Sequence, residues 1–322
     1  MEQLSLELTN MLVKTDIPKL LEAGIRREFM KEFERKEAEW ERIAIRINST
    51  KDSETYAWLG SVGDLHEWKD ERIPEALYEH SYSIKNLDWE ASIAISRNAI
   101  EDEQYGQIKL KVRQLANRAR RFWGKQVFKI LSQGNLSTGD SGIYNGKDLK
   151  CYDGQPFFSD SHSEGDSGTQ SNKGTVALTY SNLQTAIQTM MGIKDDKGEE
   201  LDIRPDLLVV NQKNMFVARE ILNSTYYPEE GTTTAKLATN VLKGLLDLYV
   251  TPYVDANDWF VFDTSGIIKP VILQVRKDIE FSSLLTGPEA FLRKKLYFGV
   301  DWRGMIGWGL WQYAYGSSPD WA

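Results

Sequence analysis

The sequence predicts an α+β protein built from extended elements, and three observations carry that expectation. Apolar residues recur at every fourth position over 16–42, and the period falls to two over 43–98. One long helix then occupies 99–133, and an α/β pattern follows from 177 to the end. With 322 residues, 41% hydrophobic and 27% charged, the chain is long enough for one or two packed cores and has an ordinary globular composition.

The first helix is marked by Ile17, Leu21, Ile25, Phe29 and Phe33, with Trp40 further on, and Asp16-Ile17-Pro18 supplies a cap and an early proline. Its apolar stripe is one residue wide, narrower than a core helix usually shows. It therefore reads either as a helix on the surface of its own domain or as an arm laid on a neighbouring subunit. Over 43–98, Ile43, Ile45 and Ile47 alternate with polar residues, as do Ile84, Ile93 and Ile95. Between these two sets lies TYAWLGSVGDLHEWKDERIPEALYEHSY, rich in glycine, charge and tryptophan. The pattern predicts a long hairpin, and a two-stranded ribbon is marginal in water, so something outside it must stabilise it.

In the long helix, Glu101, Asp102 and Glu103 stand in the first turn and Lys125 and Lys129 near the end, which complements the helix dipole. Ile108, Val112, Leu115, Ala119, Phe122, Gln126 and Lys129 trace one face, with Trp123, Val127 and Ile130 beside it, and Gly134 stops the helix. At 1.5 Å per residue it would span about 50 Å. Residues 135–176 are dominated by turn chemistry, which predicts a surface excursion with short strands around Leu149–Tyr152 and Pro156–Phe158. From 177 the spacing predicts a capped helix to Gly192, a buried strand at 205–210 and a helix over Met215–Leu222. Strands follow at Leu248–Val254, Trp259–Asp263, Ile267–Arg276 and Tyr297–Tyr315.

Little in the chain points to catalysis. His66, His80 and His162 lack the spacing of a helical metal pair. His162 has Asp160, Glu164 and Asp166 nearby and could hold a cation, but turn chemistry accounts for the same letters, and no metal is expected. No nucleophile elbow, phosphate loop or dinucleotide fingerprint is present. The lone Cys151 excludes an internal disulfide framework and has no basic residue beside it. A net charge of −8 argues against binding nucleic acid over the whole surface. The N-terminal residues lack the basic start and apolar core of a signal peptide, and no stretch approaches the roughly 20 apolar residues of a membrane span. The basic run Lys109, Lys111, Arg113, Arg118, Arg120, Arg121, Lys125 and Lys129 has two readings: it faces the acidic N-terminal helix or solvent, or it meets phosphates without reading sequence. A chain with no catalytic motif, and with extended parts that cannot bury themselves, is expected to bury them against partners. The expectation is a structural subunit with no enzyme activity and no cofactor.

Six segments, in order, carry a resemblance: YAWLG at 56–60, EWKDER at 67–72, CYDGQPFFSDSH at 151–162, LTYSNLQTAIQTMM at 178–191, PDLLVV at 205–210 and LYFGVDWRGMIGWGLWQYAYGS at 296–317. The chain resembles the major capsid proteins of tailed bacteriophages, which have the Hong Kong 97-like fold, and is most similar to the major head subunits of Mu-like phages and prophages. The resemblance implies an N-terminal arm at 1–45 and an extended hairpin loop at 46–98. A peripheral domain with its spine helix would take 99–176 and 265–322, and an axial domain 177–264. It further implies an icosahedral shell of pentamers and hexamers around double-stranded DNA held by non-specific contact, with portal, scaffold and decoration proteins as further partners. Such a subunit would be made in the host cytoplasm, reside in the virion capsid, and have no membrane partner and no catalytic residues. Some members crosslink a lysine to an asparagine between subunits; Lys69 lies on the hairpin, but no matching acceptor pattern stands in the sequence. Expected inter-subunit contacts are Phe29, Phe33, Trp58, Trp68 and Ile73, and Arg118, Arg120 and Arg121 are expected to meet the acids of the arm. The alternatives are an encapsulin-type nanocompartment, which shares the fold, and an α/β enzyme.

Overall fold

The structure, a computed structural model, describes residues 23–35, 39–59, 79–96, 98, 105–228, 237–285 and 292–322. In chain order, helix α1 (23–33) precedes a 3-10 turn at Glu39–Arg42 and strands β1 (Ala44–Asn48), β2 (Ser53–Leu59), β3 (Glu79–Lys85) and β4 (Leu87–Ser96). The long helix α2 (Tyr105–Leu131) leads to short strands β5 (His162–Ser163), β6 (Thr169–Gln170) and β7 (Lys173–Gly174). Then come α3 (Tyr180–Met191), β8 (Leu207–Asn211), α4 (Met215–Asn223), β9 (Tyr226–Pro228), β10 (Leu237–Thr239), β11 (Asp247–Thr251) and β12 (Trp259–Phe262). Two long strands, β13 (Val271–Leu284) and β14 (Lys295–Trp308), precede β15 (Ala314–Ser317). The chain divides into two compact units, one of residues 1–37, 86–124 and 275–304, the other of 38–85, 125–274 and 305–322. These units cut across the linear division into arm, hairpin, peripheral and axial segments.

The first unit is a helix-on-sheet layer. Strand β4 pairs antiparallel with β14 from Leu87↔Gly304 to Ser96↔Lys295. Alternation along β14 turns Leu296, Phe298, Val300 and Trp302 to one face, and α2 lays its Ile108, Val112, Leu115 and Ala119 seam into the same core. The N-terminal part of the face read from the sequence is therefore the buried seam. The helix is described over 27 residues, about 40 Å at 1.5 Å per residue, and the acids at 101–103 lie outside the described residues.

The second unit holds a five-stranded mixed sheet in the order β11-β8-β12-β15-β7. Its middle strands are apolar on both faces: every residue of β8 and of β12 is buried. Helix α3 starts where the sequence places its cap, with the Thr179 side chain accepting from Asn182 N, and buries Leu183, Ala186, Ile187 and Met190.

Five expectations are corrected. The N-terminal helix does not run unbroken to residue 42: a turn and bend follow at 34–35, and half-buried Trp40 sits in the separate 3-10 turn. The Ile43–Ile47 stretch is not an arm of the hairpin, because Val271 N donates to Ile43 O and β1 lies beside β13; the hairpin is β2 with β3. The Ile93/Ile95 stretch likewise leaves the ribbon for β14, which offers an apolar face the ribbon lacks. The C-terminal run Tyr297–Tyr315 is two strands, interrupted at a 3-10 turn over Trp311–Tyr313. The fifth correction is the largest. Residues 135–176 are no surface excursion, for Tyr144, Phe157, Phe158, His162 and Asn172 are all buried there.

Candidate functional site

In the first unit, α1 is fastened to α2 by one apolar row and a polar margin. Phe29 is fully buried, stacked 5.8 Å from half-buried Phe33 and tilted 5.2 Å from Phe281, with Ile25 beside it. Phe29 thus sits in the core of its own subunit, with Phe33 packed against it. Along the margin, Arg113 grips the Glu28 carboxylate at 2.8 and 3.1 Å, Asn117 donates to Glu32 Oε1, and Arg120 donates to the Arg35 carbonyl. The Arg113 hydrogen bond holds the Glu28 carboxyl below the usual carboxylate range. Of the three arginines expected beside the arm, Arg120 reaches it, while Arg118 and Arg121 are exposed on the helix. Arg113 and Asn117 take the arm's acids, a pairing that their spacing from Glu28 and Glu32 along two facing helices could have suggested.

The foot of the hairpin is anchored in the second unit. Strands β2 and β3 pair from Ser53↔Lys85 to Leu59↔Glu79. Tyr56 donates to Gln274 Oε1, Gln274 Nε2 to the Ile84 carbonyl, and Trp308 N to the Tyr82 hydroxyl. Close packing here demands glycine: a Cβ at Gly307 would come within 2.5 Å of Ile84 Cδ1. Glu54 closes the turn that enters the ribbon by accepting from Thr50 N and Lys51 N, which holds its carboxyl down. The backbone of Trp58 pairs with His80 within the ribbon, whereas Trp68 and Ile73 lie outside the described residues.

The segment CYDGQPFFSDSH builds a buried polar knot. His162 Nδ1 lies 2.5 Å from Asp153 Oδ2, both side chains are almost wholly buried, and the imidazole stacks on Trp311 at 4.0 Å. Its Nε2 lies 3.2 Å from Asn172 Oδ1, and the Asn172 amide donates to the carbonyls of Phe157, Trp311 and Ala314. Glu164 Oε1 accepts from Tyr152, Trp311 Nε1 and Gln312 Nε2. Both ring nitrogens of His162 are spent within the 151–172 loop and its ring face on Trp311, so it orders the loop from which Asn172 reaches the C-terminal segment. Burial pushes the Cys151 thiol well above its ordinary range, which leaves it a small hydrophobe and no nucleophile. Among the described residues no cluster of three or more His, Cys, Asp or Glu could hold a metal ion, and no helix is long and apolar enough to cross a membrane.

These surfaces are an arm, a ribbon and a knot, all of them structural. The chain matches the Mu-like prophage major head subunit gpT family over residues 19–177, 173–254 and 255–320. It is 25% identical over 305 residues to the Mu-like prophage FluMu major head subunit of Haemophilus influenzae, covering 94% of this chain and 73% of that protein. It is 30% identical over 152 residues to the major capsid protein of Escherichia phage Mu, covering 47% of this chain and 46% of that protein. Among solved structures it is similar to a chain of the bacteriophage JBD30 procapsid, with a TM-score of 0.53 at 23% identity over 93% of this chain and 75% of that chain. The fold is accordingly the Hong Kong 97-like capsid fold, and neither the enzyme nor the nanocompartment alternative is favoured. With a family match that runs from the arm through both units to the C-terminal strand, this chain belongs to the Mu-like prophage major head subunits, structural proteins of the capsid.

Proposed function

We propose that copies of this chain close into an icosahedral shell of pentamers and hexamers around double-stranded DNA. The carrying observation is the family match along nearly the whole length, together with a ribbon whose foot is anchored and whose remaining residues have no core in the sequence to fold around. In this reading the hairpin bears the contacts with a second subunit through Trp58, Trp68 and Ile73. Phe29 and Phe33 hold the arm on its own spine helix, a role that the full burial of Phe29 supports. The linear division into arm, hairpin, peripheral and axial segments describes the subunit's parts in the assembled shell.

Contact with DNA falls to the exposed stripe of the spine helix that includes Lys111, Arg118 and Arg121, while Arg120 works within the arm. A charge of −8 on every copy keeps that contact weak and salt-dependent. Portal, scaffold and decoration proteins are the further partners of such a shell, and the host cytoplasm is where its subunits are made. Electron microscopy and sedimentation of the expressed chain test the reading. Wild type should give closed particles or capsomers, and a deletion of 60–75 should keep its circular dichroism yet form no shells. A wild-type chain that stays monomeric at high concentration would overturn it.

A further inference from the structure

Gly299 stands in the middle of β14, opposite Ser92 of β4, on the sheet face turned away from α2. The fold does not ask for glycine there. Its backbone is not in the left-handed region, and a Cβ would lie 3.6 Å from Ser282 Oγ and 3.7 Å from the Ala91 carbonyl and Ser92 Cβ, ordinary contact distances. Glycine inside a strand forgoes packing and costs chain entropy, and one not required internally marks a place where something else approaches the sheet. Above it opens a trough of about 360 Å³ walled by Glu90 and Ser92, Ser282 and Leu284, and Tyr297 and Asp301. Its hydroxyls and one leucine leave room for a single large side chain. Its lip carries one uncompensated charge: Asp301 is answered by Lys277 at 2.6 Å, whereas Glu90, its cross-strand neighbour, is exposed and has no ion-pair partner among the described residues.

We propose that this trough receives the Trp68 indole of a second copy of this chain, with the adjoining Lys69 meeting Glu90. The trough fits a bulky apolar side chain followed by a cation. Two tryptophans in the sequence are so followed, Trp68-Lys69 and Trp302-Arg303, and Trp302 is already buried in the core. The hairpin therefore offers the pair that is left. The docking rests on the shell reading and specifies where on the neighbouring subunit the hairpin lands.

Two experiments on the full chain decide it. A branched side chain at Gly299 suits a strand and projects into the trough. Gly299→Val should leave the melting temperature of unassembled subunits equal or higher while particle yield falls at least tenfold. Glu90→Lys and Lys69→Glu should each lower the yield, and the double variant should restore it. Normal particles from Gly299→Val would overturn the docking, as would two charge reversals whose defects do not correct each other. Should Gly299→Val melt lower, the charge exchange decides alone, because Glu90 is exposed. Particles from the wild-type chain in the same preparation keep these outcomes separate from failure of the shell reading.

Discussion

The spine helix of the first unit and the 151–172 loop of the second both exclude water, but by opposite means. The helix does so with a regular seam of aliphatic side chains, in which each residue adds a modest, nearly independent increment of burial. The loop does so with few regular backbone pairings and a knot of buried polar groups, in which Asp153, His162 and Asn172 bond in series, Asn172 reaches the Trp311 and Ala314 carbonyls, and Glu164 accepts from Tyr152, Trp311 and Gln312. A seam degrades gradually when a member is lost, while a knot fails as a unit, because each missing partner strands a buried polar group.

The largest expected effect tests that contrast. Asp153→Ala leaves the His162 ring without its 2.5 Å partner in a site closed to water, and should cost about 3–5 kcal/mol. The double variant Asp153→Ala with His162→Ala should cost clearly less than the sum of the two single changes, as read by chemical denaturation of unassembled subunits. Strict additivity would break the picture of a coupled knot. Next in size is Phe29→Asp, which places a carboxylate in a fully buried position and should cost about 3 kcal/mol through loss of a large core side chain. There the loss should be local, seen as faster amide exchange in the arm and spine helix and reduced assembly, with the second unit protected as before.

The same contrast decides what could be read from the sequence. The spine helix, α3 with its Thr179 cap, and the buried strand at Leu207–Asn211 follow from periodicity and capping, both local properties of the chain. The hairpin's true partners did not follow, because Ile43–Ile47 and Ile93–Ile95 have the same alternation as any ribbon arm, and only the long strands β13 and β14 reveal where those faces are buried. The knot was misread for a similar reason. Gly, Ser and Asp over 153–172 are the letters of a solvent-exposed turn, and nothing in composition says that Asn172 bonds the Trp311 carbonyl or that the His162 ring stacks on the Trp311 indole, far along the chain. What CYDGQPFFSDSH did offer was two adjacent phenylalanines among the turn residues, Phe157 and Phe158, and both proved fully buried. For assembly, Phe29 and Phe33 were found as an apolar row and Arg113 as one of a basic run that could face the acidic helix, whereas Asn117 was overlooked and arginines further along the helix were singled out.

A middle-sized effect comes from a polar group that the second unit leaves half satisfied. Asp258 is buried at the head of β12, and its Oδ2 has no hydrogen-bond partner among the described residues. Burial lifts its carboxyl to about 6, against the pull of Ser132 and Ser318 and with the help of Asp255 and Asp320. Because the folded value is raised, its stabilising contribution is full below the ordinary carboxylate range and is lost as pH rises through about 6. Unassembled subunits should therefore melt higher at pH 5 than at pH 8 by the equivalent of about 1–3 kcal/mol from this group. Asp258→Asn should flatten that difference and raise the melting temperature at pH 8. An unchanged pH profile in the variant would remove Asp258 as its source.

The smallest effect lies at the margin of the seam. Glu28 and Arg113 form an ion pair between arm and spine at 2.8 Å, but the arginine is half exposed and water screens the attraction. Glu28→Gln keeps the shape and a hydrogen-bond acceptor while removing the charge, so its melting temperature should stay close to that of wild type and well above that of Phe29→Asp. The Glu28 carboxyl sits below its ordinary value, so whatever the pair contributes is present above the ordinary carboxylate range and is lost as pH falls through the lowered one. Measured against salt, the small difference between wild type and Glu28→Gln should shrink as ionic strength rises, whereas the Phe29→Asp defect should persist. A Glu28→Gln defect as large as that of Phe29→Asp, and equally indifferent to salt, would mean that the arm is held by charge rather than by its apolar row.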